Sequence, residues 1–413
     1  MSEKRIVMSN ALRKWLVMNG MSYTIFVYVG IFVNLFIWEQ NRLIFDVAWF
    51  NLTVYVSWSF AFAAAAYLLS KRTVRLLLGI SALSGGTAFC LLSFVQLDNR
   101  LVWIALVGVP VGLMYGFFSA AQNLSVSLSG TPAELGRYFT AAGSVQQVVT
   151  LVVPLLSAIV IHYFGYFSTF ALMLLFFAFM LLYSAVMPGI SLRAHAEPGE
   201  GSYVFRLFRD DLFRKPRIRW LAASNLAAGV FLQFQQLFLL IFTFSITENK
   251  FWIAGFNALY TAATLAALFL YRRLRLKDDT LLIAGAGLLS CGFLIVLVPA
   301  PAVLIVSNLL TAVGMFYFGA AWNTSQFKLI KPYPQSGQAK LLVWRETLIC
   351  VTRIATLLVV LSVDDIGGPV FIGLIAASLL CLLAVPWFER RARRAGEGAS
   401  EPAAEAGDSA VSS

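Results

Sequence analysis

The sequence predicts an all-α membrane protein in which twelve transmembrane helices form two pseudo-symmetric six-helix bundles. The first reason is composition, because 60% of the 413 residues are hydrophobic and only 12% are charged. A soluble chain of this length needs far fewer apolar residues to fill its core. The second reason is a series of twelve long apolar runs, and the third is the alternation of basic residues in the gaps between them.

The apolar runs define the predicted helices in order along the chain. Each run approaches or exceeds the roughly 20 residues that an α-helix needs to cross about 30 Å of hydrocarbon. Continuous runs of this length favour helices over the short alternating segments of a β-barrel. The twelve runs are residues 19–38, 46–69, 75–96, 101–127, 138–161, 167–187, 219–245, 250–271, 280–298, 302–325, 339–362 and 368–387.

The basic residues predict the orientation of these spans. Most of the 31 Lys and Arg residues lie near the two ends of the chain and in every second gap, whereas the intervening gaps hold only Arg42, Arg100 and Lys250. Because cytoplasmic segments retain positive charge, we expect a multi-pass protein of the cell membrane with both termini in the cytoplasm. The net charge of +11 is then explained by topology and anionic lipid headgroups, and nucleic acid is not expected as a partner.

A long central gap divides the chain into domains. Within it, Phe205, Phe208 and Leu212 share one helical face, while Arg206 and Asp210 are spaced to pair on the other, which predicts an amphipathic helix on the membrane surface. After residue 388 the composition loses its apolar period, which is typical of disorder. The predicted domains are an N-terminal bundle (1–187), a cytoplasmic linker with the surface helix (188–218), a C-terminal bundle (219–388) and a disordered cytoplasmic tail (389–413).

The two halves carry the same short patterns in the same order. One pattern lies in the third and ninth spans, and a second lies in the fourth and tenth. Corresponding helices are therefore predicted to occupy corresponding places in the two halves. The paired residues are Gly79, Leu83, Ser84 and Gly86 with Gly285, Leu289, Ser290 and Gly292, and Ala120-Ala121-Gln122-Asn123 with Ala320-Ala321-Trp322-Asn323.

With two six-span halves, a long cytoplasmic link and a basic loop at Lys71–Arg75 that is repeated at Arg272–Arg275, the chain resembles the major facilitator superfamily over about residues 10–390. The resemblance implies a substrate cavity at the interface of the halves and alternating access. It also implies that spans one, four, seven and ten line the cavity and that spans two, five, eight and eleven flank it. The loops keep the positive charge of the family but lack its usual glycine and aspartate pattern, and the fifth span lacks the Gly-Pro signature of drug/proton antiporters.

Three ionisable residues in the eleventh span are the leading candidates for a functional site. Charged groups inside a span are costly and usually face a cavity or a partner. With Lys340 near the cytoplasmic interface, a rise of about 1.5 Å per residue places Arg353 about 20 Å deep. We predict Arg353 as a substrate contact and Glu346 as a proton-coupling carboxylate; the alternative is that the two neutralise each other. Arg345 is shallow enough that we expect it to reach the lipid headgroups.

Polar side chains on the helices implied to line or flank the cavity complete the predicted site. The alternative for each of them is an interhelical hydrogen bond worth roughly 0.6 kcal/mol. The predicted substrate-binding residues, besides Arg353, are Tyr28, Asn34, Asn123, Gln146, Gln233, Gln236 and Asn323.

Enzyme chemistry finds no support in the sequence. The chain has no Walker loop, no dinucleotide glycine fingerprint and no metal-spaced cluster of His or Cys, and neither His162 nor His195 accompanies a nucleophile and an acid. We therefore expect no enzyme, no cofactor and no metal. The predicted function is a secondary transporter or facilitator of a small solute, acting as a monomer among membrane lipids with protons as a candidate coupling ion. The alternative is a non-transporting membrane scaffold or lipid-handling protein on the same helices.

Overall fold

The computed structural model describes residues 9–69, 71–128, 132–189, 215–247, 249–274, 278–298, 300–331, 333 and 335–397, and every regular element in this part of the chain is a helix. The helices follow the predicted apolar runs in order, because each run hides its backbone polar groups by pairing them internally. They are α1 Asn10–Asn41, α2 Ile44–Leu69, α3 Val74–Phe94, α4 Arg100–Leu128, α5 and α6 within Pro132–Val186, α7 Pro216–Ile246, α8 Lys250–Leu274, α9 Asp278–Ile295, α10 Pro301–Ile330, α11 Gln335–Val360 and α12 Pro369–Glu397.

Two helix ends depend on left-handed backbone. The segment Pro132–Val186 breaks at Gly165, whose φ of 77° and ψ of 175° are not helical, and we number its arms α5 (132–164) and α6 (166–186). Glycine adopts this conformation without the steric penalty that a Cβ brings. At the end of α1, Arg42 has φ 57° and its backbone N–H donates to the Trp38 carbonyl, which closes the helix.

Nine of the described helices are long and apolar enough to cross a membrane, so the chain is a multi-pass membrane protein. This count of nine is lower than the twelve predicted spans for three reasons. The broken helix Pro132–Val186 is counted once, α9 is short, and α11 carries Arg345, Glu346 and Arg353. The prediction of twelve crossings therefore stays a prediction.

Close packing between neighbouring helices depends on small residues, as expected where lipid supplies no hydrophobic drive for association. In α4, Gly108, Gly112 and Gly116 face α2. A Cβ added at Gly112 would lie 2.2 Å from the backbone oxygen of Val54, so the two helix backbones are in contact there. The pair α9 and α10 is similar, since a Cβ at Gly285 would lie 2.4 Å from a backbone nitrogen.

The chain forms two compact units that do not follow the predicted six-and-six division. The first unit is drawn from Met1–Val204, Phe238–Leu265 and Leu357–Asp365, and the second from Phe205–Leu237, Ala266–Thr356 and Ile366–Ser413. Parts of α7 and α8 belong to the first unit because they pack on its helices. The rings of Trp38 and Phe244 lie 6.2 Å apart, and those of His162 and Phe251 lie 4.8 Å apart. The two-bundle arrangement stays a prediction.

The predicted start of the disordered tail at residue 389 is wrong. Helix α12 continues to Glu397, and both Glu389 and Ala392 are fully buried. The helix persists beyond the apolar run because Glu389 is hydrogen-bonded inside the second unit. The remainder of the predicted tail and the predicted surface helix of the linker lie outside the described residues.

Candidate functional site

The polar centre of the second unit is Arg345 on α11. Its guanidinium carbon lies 5.0 Å from the centroid of the Trp322 ring, and Nη2 donates to Asn323 Oδ1 at 2.5 Å. Nη1 lies 3.8 Å from Glu346 Oε1, and the two side chains are 14% and 22% exposed. An aromatic face and an amide on α10 thus hold the Arg345 side chain against the protein, and its expected contact with lipid headgroups stays a prediction.

Arg353, two turns further along α11, lies beside another predicted residue. Its Nη1 donates to Oε1 of Gln236 on α7 at 3.2 Å, and Gln236 is exposed. Gln233, one turn earlier on α7, is only 1% exposed, and its Oε1 has no hydrogen-bond partner among the described residues. The second unit thus contains two polar groups. One consists of Arg353 and Gln236, and the other of Arg345, Asn323 and Glu346.

A small cavity adjoins Arg345. It has a volume of about 10 Å³ and is lined in part by Asn225 and Trp344, which is room for about one water molecule. Asn225 is 2% exposed, and its Oδ1 has no hydrogen-bond partner within the described residues. The positively charged Arg345 and the hydrogen-bond acceptor Asn225 therefore line the same small cavity.

A buried carboxylate in the second unit was not among the residues predicted from the sequence. Glu389 on α12 is fully buried. Its Oε1 accepts hydrogen bonds from Ser224 Oγ at 2.7 Å and Gln326 Nε2 at 2.6 Å, and its Oε2 accepts one from Ser325 Oγ at 2.5 Å. Within the described residues no basic side chain contacts it. The available signal was an acidic residue at the end of an apolar run, but its partners on α7 and α10 are distant in sequence.

The predicted substrate-binding residues on α4 and α5 of the first unit are uncharged amides. Gln146 on α5 donates to the hydroxyl of Tyr23 on α1. Gln122 on α4 donates to Asn19 Oδ1 at 3.0 Å, and the neighbouring Asn123 is exposed. Amides and a phenol can bind a neutral polar group or orient a charged one, so these side chains provide hydrogen bonding without charge.

Two predicted residues lie in packed interiors instead. Tyr28 is fully buried, and its hydroxyl shares a hydrogen bond with Thr169 Oγ1 at 2.6 Å. Asn34 is 3% exposed, donates to the carbonyl of Gly30 at 3.0 Å and accepts from Asn51 Nδ2 at 2.9 Å. Its bonds serve the π-helical turn Val29–Val33 of α1, whose carbonyls are displaced from regular pairing. Neither side chain reaches an open surface, so both are left out of the proposed site.

No known family profile matches the chain. A relative from Bacillus subtilis (strain 168), the uncharacterized protein YqgE, is 24% identical over 368 residues, which are 83% of this chain and 81% of that protein. Solved structures are similar over most of the chain. A POT family transporter in complex with 5-aminolevulinic acid matches with a TM-score of 0.69 at 10% identity, covering 92% of this chain and 96% of that chain. The nucleoside transporter NupG matches with a TM-score of 0.63 at 11% identity, covering 92% and 99%.

Each of these two matches covers 92% of this chain. At such low identity they establish architecture and leave the site chemistry to the residues themselves. The chain therefore has the fold of these solved structures.

Proposed function

We propose that this protein is a secondary transporter or facilitator that moves a small solute across the cell membrane by alternating access. In this proposal it has twelve spans, cytoplasmic termini and no enzymatic activity, and it works as a monomer. The fold likeness to two kinds of transporter supports the proposal. The single observation that carries it furthest is the charged group on α11, because Arg345, Glu346 and Arg353 are retained in a membrane helix where each is costly.

The residues of the second unit suggest the chemical class of the solute. Arg345 and Arg353 supply two fixed cations, and their described partners include the neutral amides of Asn323 and Gln236. Such guanidinium groups bind carboxylates and phosphates by charge-assisted hydrogen bonds. We propose a small solute with a negative group, held by Arg353 with Gln236. Gln233 and Asn323 on the same unit, and Gln146 and Asn123 on the first unit, are proposed as further contacts.

The neighbours in structure supply suitable probes. Structures of a POT family transporter contain 5-aminolevulinic acid and a thioalcohol-conjugated peptide, and NupG is a nucleoside transporter. We would reconstitute the full chain in liposomes and measure uptake of 5-aminolevulinic acid, an alanine dipeptide and uridine. Protein-free liposomes are the control.

We expect saturable uptake of a carboxylate-bearing probe and competition by other small carboxylates. Uptake of uridine alone would contradict the assignment of a charged solute. No saturable uptake of any probe, together with no thermal stabilisation by a wider panel of sugars, organic anions and peptides, would favour the scaffold or lipid-handling alternative.

A further inference from the structure

We propose that Glu389 is a positioning residue that holds Arg345 in its place by way of Ser224 and Trp322. This inference deepens the proposed function and rests on it for the charge of the solute. The connection itself consists of direct contacts, all within the second unit, that join α12 to α11 through α7 and α10.

The first link is fixed by the donors available. Ser224 is fully buried and has one hydroxyl proton, which it donates to Glu389 Oε1 at 2.7 Å. The indole Nε1–H of Trp322 lies 3.2 Å from the same Ser224 oxygen and can only donate. Ser224 must therefore accept from Trp322 while donating to the carboxylate, so the direction of both hydrogen bonds is set by Glu389.

The second link carries this orientation to the cation. Trp322 is 3% exposed, so its ring is fixed by packing and by the single hydrogen bond of its nitrogen. The guanidinium of Arg345 lies over that ring, where a cation is attracted by the π electrons. A change in the tilt of the indole would therefore displace Arg345 from Asn323 and from Glu346.

The carboxylate is suited to anchor this chain of contacts. Ser325 and Gln326 on α10 donate to it at 2.5 and 2.6 Å, so its position relative to α10 is fixed independently of Ser224. Three donors meet the two oxygens of one buried group, and removing that group would leave all three donors without their acceptor.

The test measures the environment of Arg345 without needing a substrate. Purified full-length protein is treated with phenylglyoxal, which modifies exposed guanidinium groups, and peptide mass spectrometry gives the modification rates of Arg345 and Arg353. Arg353 lies on the same helix and serves as the internal reference. The variants are Ser224→Ala, Glu389→Ala and Glu389→Gln. The matched control is Ser378→Ala. Ser378 lies on α12 and is fully buried like Ser224, but its hydroxyl has no partner among the described residues.

We expect the Arg345 rate to rise several-fold in Ser224→Ala and Glu389→Ala while the Arg353 rate stays constant. Glu389→Gln should lie between the wild type and Glu389→Ala, because the amide keeps one acceptor oxygen. Ser378→Ala should match the wild type. An unchanged Arg345 rate in folded Ser224→Ala and Glu389→Gln would overturn the proposal. So would an equal rise at both arginines, which would mean that Glu389 only stabilises the fold.

A second measurement connects the position of Arg345 to transport. With the alanine dipeptide and its C-terminal amide as paired probes, Ser224→Ala should raise KM several-fold for the carboxylate form and leave the amide form unchanged. An equal rise for both forms would contradict the positioning role. If the wild-type protein transports neither form and no other carboxylate-bearing probe, the proposed charged solute fails, and the labelling result still decides the contact pathway.

Discussion

At the scale of single residues, Arg353 carries the most specific prediction. Its guanidinium meets Gln236 across two helices at 3.2 Å, and a charge-assisted hydrogen bond to a solute contributes about 1.5–3 kcal/mol. We expect Arg353→Ala to reduce kcat/KM for a carboxylate probe by about tenfold or more. Arg353→Lys should recover only part of this, since a lysine keeps the charge but lacks the planar fork. Initial uptake rates in liposomes provide the measurement.

The matched control for that experiment is Arg393→Ala. This arginine is also in the second unit, but it pairs with Asp279 at 2.6 Å with side chains 35% and 48% exposed. An exposed pair of this kind contributes little to stability, and it is distant in sequence from the α11 charges. Normal transport by folded Arg353→Ala, or equal losses in both variants, would remove Arg353 from the proposed site.

Glu346 is predicted to couple transport to protons. It lies 3.8 Å from Arg345, so a change in its protonation alters the charge that a negative solute meets. We expect Glu346→Gln to exchange labelled for unlabelled solute at a rate near that of the wild type. The same variant should fail to accumulate solute when a pH gradient is imposed. Asp279→Asn serves as the control, and pH-driven accumulation by Glu346→Gln would exclude the coupling role.

The sequence predicted which helix carries the charges but not what those charges contact. Arg345, Glu346 and Arg353 are conspicuous because they interrupt an apolar run, and that signal is local. Their partners Trp322, Asn323 and Gln236 lie on other helices. Which residues meet across helices depends on tertiary packing, which the periodicity of the sequence does not show. Glu389 was predicted to lie outside the last span because an acidic residue after an apolar run usually marks the end of a helix. Its hydrogen-bond partners on α7 and α10 also depend on tertiary packing.

At the scale of helices, the contact between α2 and α4 depends on glycine. A Cβ at Gly112 would lie 2.2 Å from the Val54 carbonyl oxygen, which is backbone and cannot rotate away. We expect Gly112→Ala to destabilise the protein by about 1–3 kcal/mol through overpacking, seen as a lower melting temperature of the detergent-solubilised protein. At Gly86 of α3, no described atom lies within 4 Å of an added Cβ. Gly86→Ala should therefore be neutral or slightly stabilising, and equal melting temperatures for the two variants would contradict this packing argument.

The helices themselves were largely predictable, because bilayer thickness and internal backbone pairing determine the length of an apolar run. The repeated glycine pattern did not predict how closely the corresponding helices pack against their neighbours. Gly285 and Gly292 are in close contact with α10, with an added Cβ 2.4 and 2.5 Å from its atoms, whereas the nearest atom to a Cβ at Gly79 is 3.8 Å away. The same residue type at corresponding positions therefore supports different packing, which short sequence matches cannot distinguish.

At the scale of the whole molecule, alternating access requires that contacts closing one side break during each cycle. On the side predicted to be non-cytoplasmic, Lys250 Nζ lies 2.8 Å from Glu39 Oε1 and 5.4 Å from the centroid of the Tyr166 ring. These contacts join the end of α1 to the start of α8 within the first unit. They connect segments from the two halves of the sequence that both lie in that unit.

We therefore expect a covalent bridge between positions 39 and 250 to stop transport. Glu39→Cys and Lys250→Cys would be combined in a chain whose four native cysteines are replaced, and joined by a bifunctional methanethiosulfonate reagent. Uptake should fall to background after bridging and return after reduction, because the state in which α1 and α8 separate is no longer reachable.

The control bridge joins Asp279→Cys to Arg393→Cys, which links α9 to α12 within the second unit and within one predicted bundle. Rocking of whole bundles does not separate these helices, so this bridge should leave uptake near the unbridged rate. Transport that continues after mass spectrometry shows complete bridging of 39 and 250 would refute alternating access at this contact. Loss of transport with both bridges would instead show that the reagent rigidifies the protein generally, because only a moving contact should distinguish the two pairs.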